Sequence, residues 1–206
     1  MKSSDLERDL GILISKDLKW SNQCKKAAAK ANRMLGRLKN TFVSRSSSIW
    51  KKLYLAYIRP QLEFAVPIWS PYLEGDIKRI EDVQHKATRT PSELQGLPYD
   101  EKCRRWGIQS LRERRVRGDL IQKFKIEKNF DKVSWFVEPP FVVNNTTGRR
   151  RFHREPLNGC DQRFNFFSNR VVNPWNSLPD SVVQLADITS FKIKIDEFKK
   201  CELRLY

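Results

Sequence analysis

Four basic residues between Ser21 and Pro60, namely Lys26, Lys30, Arg33 and Arg37, stand four, three and four residues apart. On a helix that spacing sets them in one continuous row of positive charge. The stretch holds ten Lys or Arg and not one Asp or Glu, with Lys25 and Lys39 beside the row. Like charges in a row repel one another and weaken an isolated helix unless a polyanion lies along them. Phosphate backbones are the commonest such partner, and contact with them is independent of base sequence.

Over the whole chain 40 basic residues face 24 acidic ones, a formal net charge of +16 and a sequence pI near 9.9. The excess is uneven: residues 21–60 carry +10 and 101–129 carry +6, on either side of an acidic segment, 61–100, at −3. A charge run that merely keeps a solvated face soluble is the competing explanation. One-sided charge that recurs in a second segment favours nucleic acid, RNA or an RNA–DNA duplex held by its phosphates. Arg112, Arg115, Arg149, Arg150 and Arg151 form a second tier of candidates. Arginines in a long helix can instead pair with Glu113 or Asp119 at i to i+4 and need no ligand.

Other chemistry finds little support. Cys24, Cys103, Cys160 and Cys201 are widely spaced, with only His85 and His153 to join them. No local CxxC or CxxH pair is present, which argues against structural zinc and a disulfide framework. Glu81-Asp82, an adjacent acidic pair, lies between Ile80 and Val83 and reads as a solvated helix surface; Asp9 and Asp17 read as cap or turn residues. No Gly-rich phosphate loop and no Ser, His and Asp set is evident. No run approaches the roughly 18–20 apolar residues of a membrane span, and MKSSDLERDL lacks a signal-peptide core. The chain is expected in the nucleus and/or cytoplasm, not secreted, with no membrane partner.

The elements that must position these residues follow from periodicity. Leu10 to Ile14 has the length and β-branching of a buried strand, and Ser15 to Asp17 reads as a turn. Ser21 is the expected N-cap of a helix over 22–39 whose inner face is Cys24, Ala28, Ala31, Leu35 and Leu38. A second helix is expected from Ile49 to Ile58, with Ile49, Leu53, Ala56 and Tyr57 inward, interrupted by Pro60. An apolar helix over 61–70 carries Leu62, Ala65, Val66 and Trp69, and an amphipathic one over 74–88 buries Ile77, Ile80, Val83, Gln84 and Ala87. Residues 91–98 read as a linker in a breaker-rich stretch. A helix from Tyr99 to Trp106 precedes a long one to about Lys128, opened by a Ser110/Glu113 capping box, with Val116, Leu120 and Phe124 inward. Residues 129–161 suggest a hairpin or ordered loop with a turn at Thr147-Gly148. Helical pattern returns over 163–198, with Ile188, Phe191, Ile195 and Phe198 inward. Trp50, Trp69 and Trp175 are expected in the core, Trp20 and Trp106 against a neighbouring domain. The fold class is mainly α: a helical bundle over 21–90 behind one short strand in 1–20, then a second helical region over 99–206 with a short β or loop insertion.

Five strings carry a family resemblance: DLGILISKDLKW (9–20), LYLAYIRPQLEFAVPIWSPY (53–72), IKRIEDVQHKATR (77–89), LPYDEKCRRWGIQSLRERRVRGDLI (97–121) and FFSNRVVNPWNSLPDSVV (166–183). In that order they resemble the C-terminal part of reverse transcriptases from jockey-like non-LTR retrotransposons. The resemblance implies the last strand and turn of the palm in 1–20, a thumb that grips template and primer in 21–90, and a C-terminal extension beyond. It also implies a departure, because nothing here resembles the aspartate turn of the palm that binds the family's magnesium ions. The expectation is therefore a truncated polymerase segment that keeps the grip, is no enzyme alone, holds no cofactor, and has an upstream palm and fingers segment as a possible partner. A palm-less chain should leave part of Leu10 to Ile14 exposed. The alternatives are a helical protein-interaction module and a relic of a mobile element without function.

Overall fold

In the computed structural model, which describes residues 4–135, 138–146, 148–157 and 159–202 apart from the side chains of 199–202, the segment from Leu10 to Ile14 is a turn and a strand rather than one strand. Leu6–Asp9 (β1) and Ile12–Ser15 (β2) pair antiparallel with Asp9 opposite Ile12. Leu10 and Gly11 alone make the turn, and both have positive φ, 43° and 88°. That left-handed pair matches strand twist, and glycine adopts it without steric cost. The single expected strand is thus corrected to a hairpin. A short apolar run has no period by which to separate a strand from a strand plus a turn; Gly11 was the readable sign. Leu10 stands 85 % exposed at the tip while Ile12 is buried. The turn after β2 is as expected: Leu18 N–H donates to the Ser15 carbonyl at 2.8 Å and Lys19 N–H to Asp17 Oδ1 at 3.1 Å.

Two compact units follow from the contacts, residues 1–115 and 116–206. In the first, Ser21–Thr41 (α1) buries Cys24, Ala28, Ala31, Leu35 and Leu38, the expected face, together with Gln23 and Ala27. Its alanines let Glu74–Thr88 (numbered α5 below in chain order) approach closely. Ser21 is not the cap. It is the first helical residue, and its hydroxyl donates to Asp76 Oδ2 at 2.5 Å.

The next helix has a different inner face from the one expected. Ser47–Leu53 (α2) runs into a π turn over Tyr54–Ile58 and then Arg59–Glu63 (α3). Trp50, Tyr54, Ile58 and Leu62 are buried at intervals of four, whereas Ala56 and Tyr57 are exposed and Ile49 is 39 % exposed. A π turn holds more residues per turn, so it carries the apolar row round the helix. It also accommodates Pro60, which has no N–H to donate backward and sits in the first turn of α3. Pro67 has a similar effect. The helix expected over 61–70 breaks at Phe64 and Ala65, where φ is +52°, and resumes as Val66–Trp69 (α4) with Pro67 in its first turn.

Helix α5 buries Ile80, Val83, Gln84 and Ala87 as expected and leaves Ile77 half-buried. Residues 91–98 lie inside the first unit, where a 3-10 turn over Ser92–Leu94 puts Leu94 in the core. Tyr99–Trp106 (α6) ends at Gly107, φ 60°. Trp106 belongs to its own unit's core, 1 % exposed, with Nε1 donating to Ser47 Oγ at 2.9 Å, and Trp20 packs partly buried on the same core. The outward role expected for these two tryptophans does not hold, because each closes an element against the bundle.

Leu111–Glu127 (α7) opens with the expected capping box: Ser110 N–H donates to Glu113 Oε2 at 2.9 Å and Glu113 N–H to Ser110 Oγ at 3.2 Å. In the second unit Leu120, Phe124, Phe152, Val172, Trp175, Leu178, Val182, Phe191 and Ile195 form the core. Phe141–Val143 (β3) and Arg150–Phe152 (β4) make the expected short hairpin. Of its turn, Thr147 lies outside the described residues. Four one-turn helices, Asp161–Phe164 (α8), Phe167–Arg170 (α9), Val172–Asn176 (α10) and Asp180–Val183 (α11), lead to Ile188–Glu202 (α12). No described helix is long and apolar enough to cross a membrane.

Candidate nucleic-acid interface

The outer face of α1 is built by its inner one. With the alanine and leucine face fixed in the core, Lys30, Arg33 and Arg37 must point to water, and all three are exposed. Lys25 and Lys39 are exposed on the flank. None of these five forms an ion pair among the described residues; the acids near α1 are otherwise engaged, Asp76 by Ser21 and by Arg79 at 2.6 Å. At 1.5 Å per residue the row from Lys26 to Arg37 spans about 16 Å.

Lys26 differs from the rest of its row. It is half-buried, and its Nζ donates to the Gly11 carbonyl at 2.9 Å, tying the hairpin tip to α1. Burial, with Arg8 and Lys30 nearby, lowers its pKa below the ordinary lysine value. Arg8, on β1 and exposed, therefore extends the positive field beyond the end of the row. The sequence reading missed it, because counting charge by segment averaged it with its acidic neighbours Glu7 and Asp9.

The second tier is not one surface. Arg112 is exposed and lies 3.3 Å from the equally exposed Glu74. Arg115 is 5 % exposed, with Nε and Nη2 shut off from solvent without a hydrogen-bond partner. Burial lowers its pKa, while Glu81, Cys24 and Glu63 act the other way. Arg149 is also 5 % exposed and fastens β4 to the helices beside it. Its guanidinium donates to the Leu178 carbonyl at 2.7 Å, the Trp175 carbonyl at 2.9 Å, and the Asp180 carboxylate. Neither buried arginine presents its charge to a polyanion. Arg150 and Arg151 are exposed, Arg150 lying over the Phe141 ring at 4.7 Å. The acids expected to pair along α7 are also placed elsewhere: Glu113 in the capping box, Asp119 against Arg170 through two bonds of 2.8 Å.

Glu81 is not the solvated residue the sequence suggests. Its carboxylate accepts the Leu111 N–H at 3.1 Å and the Tyr99 hydroxyl, so a side chain from α5 caps the N-terminus of α7, where negative charge is favoured. Beside it the fully buried Gln84 accepts from the Tyr54 hydroxyl and donates to the Tyr99 oxygen at 2.7 Å and the Gln109 carbonyl at 3.1 Å. Burial pushes the Tyr54 and Tyr99 hydroxyls well above the ordinary tyrosine range, Tyr99 also through its bond to Glu81. This network links α5 to the helices on either side of it in the first unit. Cys24 and Cys103 are buried free thiols and Cys160 an exposed one; the side chain of Cys201 lies outside the described residues. No group of three or more His, Cys, Asp or Glu among the described residues is placed to hold a metal ion.

Comparison of the chain with family models, with curated proteins and with solved structures finds no match.

Proposed function

We propose that this chain is the thumb and C-terminal region of a jockey-like non-LTR reverse transcriptase, and that it holds an RNA or RNA–DNA duplex by its phosphates along α1. The observation that carries this reading is the exposed row of Lys30, Arg33 and Arg37, without an acidic partner among the described residues, on a helix whose other side is locked into the core. In this reading the residues here supply grip and not chemistry. The nucleotidyl-transfer aspartates and their magnesium belong to a palm and fingers segment with which the chain works, in the nucleus or cytoplasm.

The test is fluorescence anisotropy of the chain with a short RNA–DNA hybrid across a salt series. If about four phosphates are neutralised, log affinity falls with log salt at a slope of about −3 to −4. The triple variant Lys30→Glu, Arg33→Glu, Arg37→Glu should bind at least tenfold more weakly at low salt and with a slope flatter by about 3. A variant with the parent's slope would place the grip elsewhere. Nucleotide incorporation by the chain alone would overturn the non-catalytic assignment.

A second reading has its own observation. Leu10 at the hairpin tip is 85 % exposed and Phe64 is 56 % exposed, and the Phe64 ring lies 3.6 Å from where a Cβ on Gly11 would stand. That apolar corner fits a protein partner. Retained duplex binding in the triple variant, with loss of a protein partner on Leu10→Asp, would favour it.

A further inference from the structure

A different surface, in the second unit, pairs flat rings with unneutralised cations. Phe164 and Phe166 are 42 % and 44 % exposed. Arg154 lies over the Phe164 ring at 4.7 Å and Arg163 over the Phe166 ring at 5.6 Å. Glu155 ties the two couples together, accepting from Arg163 Nε and Nη2 at 2.8 and 2.7 Å while adjoining Arg154 in the chain. Arg163 is thereby neutralised. Arg154 is not, and neither is Arg151 three residues before it; no ion pair of either forms among the described residues.

Exposed rings backed by guanidinium planes are what unpaired bases stack on, and an arginine without an ion pair beside them is what the intervening phosphate needs. A duplex is poorly served by such a surface, because its bases already stack on one another. We infer that Phe164, Phe166 and Arg154 form a site for a single strand of RNA or DNA, with bases on the two rings and the intervening phosphate on Arg154. The site is separate from the α1 row and does not depend on how that row is used.

The test measures anisotropy of the full chain carrying Lys30→Glu, Arg33→Glu and Arg37→Glu, so that the α1 grip is absent. The probes are oligo-U and oligo-dT of about twelve nucleotides, within the site size of a stacking surface, and a blunt duplex of the same length. Both single strands should bind more tightly than the duplex, and a preference between them identifies RNA or DNA as the ligand. Adding Phe164→Ala and Phe166→Ala should weaken single-strand binding by about tenfold to a hundredfold and change duplex binding by less than about twofold. The pair Phe164→Tyr and Phe166→Tyr, which keeps the flat rings, should restore it, and thermal melts followed by circular dichroism show that each variant is folded. Single-strand affinity unchanged by the alanine pair, or lost equally for strand and duplex, overturns the site. A failure of the α1 reading registers elsewhere, as unchanged duplex binding when the parent chain is compared with the triple variant.

Discussion

Helices α1 and α7 read alike in sequence as basic amphipathic stretches, and they use their charge in opposite ways. Along α7, Arg114 grips Glu63 through two nitrogens, Arg117 holds Asp196 at 2.6 and 2.8 Å, Lys123 meets Glu127 at 2.8 Å, and Lys125 lies 3.3 Å from Asp131. Lys30, Arg33 and Arg37 of α1 have no such partners among the described residues. The acidic segment between the two helices explains part of the difference, for it gives Glu63 and Glu74 to α7 while Asp76, the acid nearest α1, is held by Ser21 and Arg79. Net charge per segment does not locate a polyanion site. The supply of acids in three dimensions decides which cations are left over, and among the described residues it leaves Lys30, Arg33 and Arg37 of α1 without an ion pair.

The strongest way to break this comparison is to remove one cation from each side and measure stability. Arg114 and Glu63 are each about three-quarters covered, so among the described residues Arg114→Ala leaves Glu63 its looser pair with Arg59 at 3.7 Å. The expected loss is about 1–3 kcal/mol, read as a lower urea midpoint, with duplex affinity within about twofold of the parent. Neutralising the α1 row, as Lys30→Gln, Arg33→Gln and Arg37→Gln, should leave stability unchanged or slightly raised, since repulsion is relieved and no pair is lost. If the α1 variant is the less stable of the two, the two helices have been assigned the wrong roles.

A smaller effect is expected at Arg115, which belongs to neither class. It is buried like a structural residue, yet two of its nitrogens lack hydrogen-bond partners. Its attraction to Glu81 and Glu63 opposes the cost of desolvating its charge. Arg115→Met fills similar space without that cost, so stability should change by less than about 1 kcal/mol or rise. A loss as large as that of Arg114→Ala would show that Arg115 is a partner that Glu81 cannot do without.

What sequence could show of all this follows from what periodicity measures. The inner faces of α1 and α5 were legible because each is a regular helix with one buried stripe, Leu120 and Phe124 of α7 likewise although Arg115, Asp119 and Lys123 are buried beside them, and the Ser110/Glu113 box because capping is local. The stretch from Ile49 to Trp69 was misread where backbone geometry departs from the regular helix: the π turn moved the buried row to Trp50, Tyr54 and Ile58, and the proline at 67 split the helix at Ala65. Of the candidate site, the row of Lys30, Arg33 and Arg37 could be read from spacing alone. The burial of Arg115 and Arg149 could not, because the groups that enclose them come from far along the chain, Glu81 for Arg115 and Trp175, Leu178 and Asp180 for Arg149. The Phe164 and Phe166 surface was hidden for the same reason, since Arg154 meets Phe164 ten positions away in sequence with no regular period to link them.

The finest test of the contrast is a proton count. Lys123 is 4 % exposed, lying over the Phe152 ring at 3.3 Å, and burial lowers its pKa below 10.5 despite the bond to Glu127. Below the native pKa both folded and unfolded chains carry that proton, and the cost of burying the charge is present in full. As pH rises from the native pKa toward 10.5, the folded chain gives up the proton first while the unfolded chain still holds it, so folding stability gains with pH across that window. The urea midpoint of the parent should therefore rise relative to Lys123→Met over that range, a difference measured pH by pH so that other lysines and tyrosines cancel. The exposed Lys30, replaced by Met in the same series, is the control from α1. Parallel midpoints for the parent and Lys123→Met would mean that Lys123 is solvated like the α1 row, and that α7 holds its charge no more tightly than α1 does.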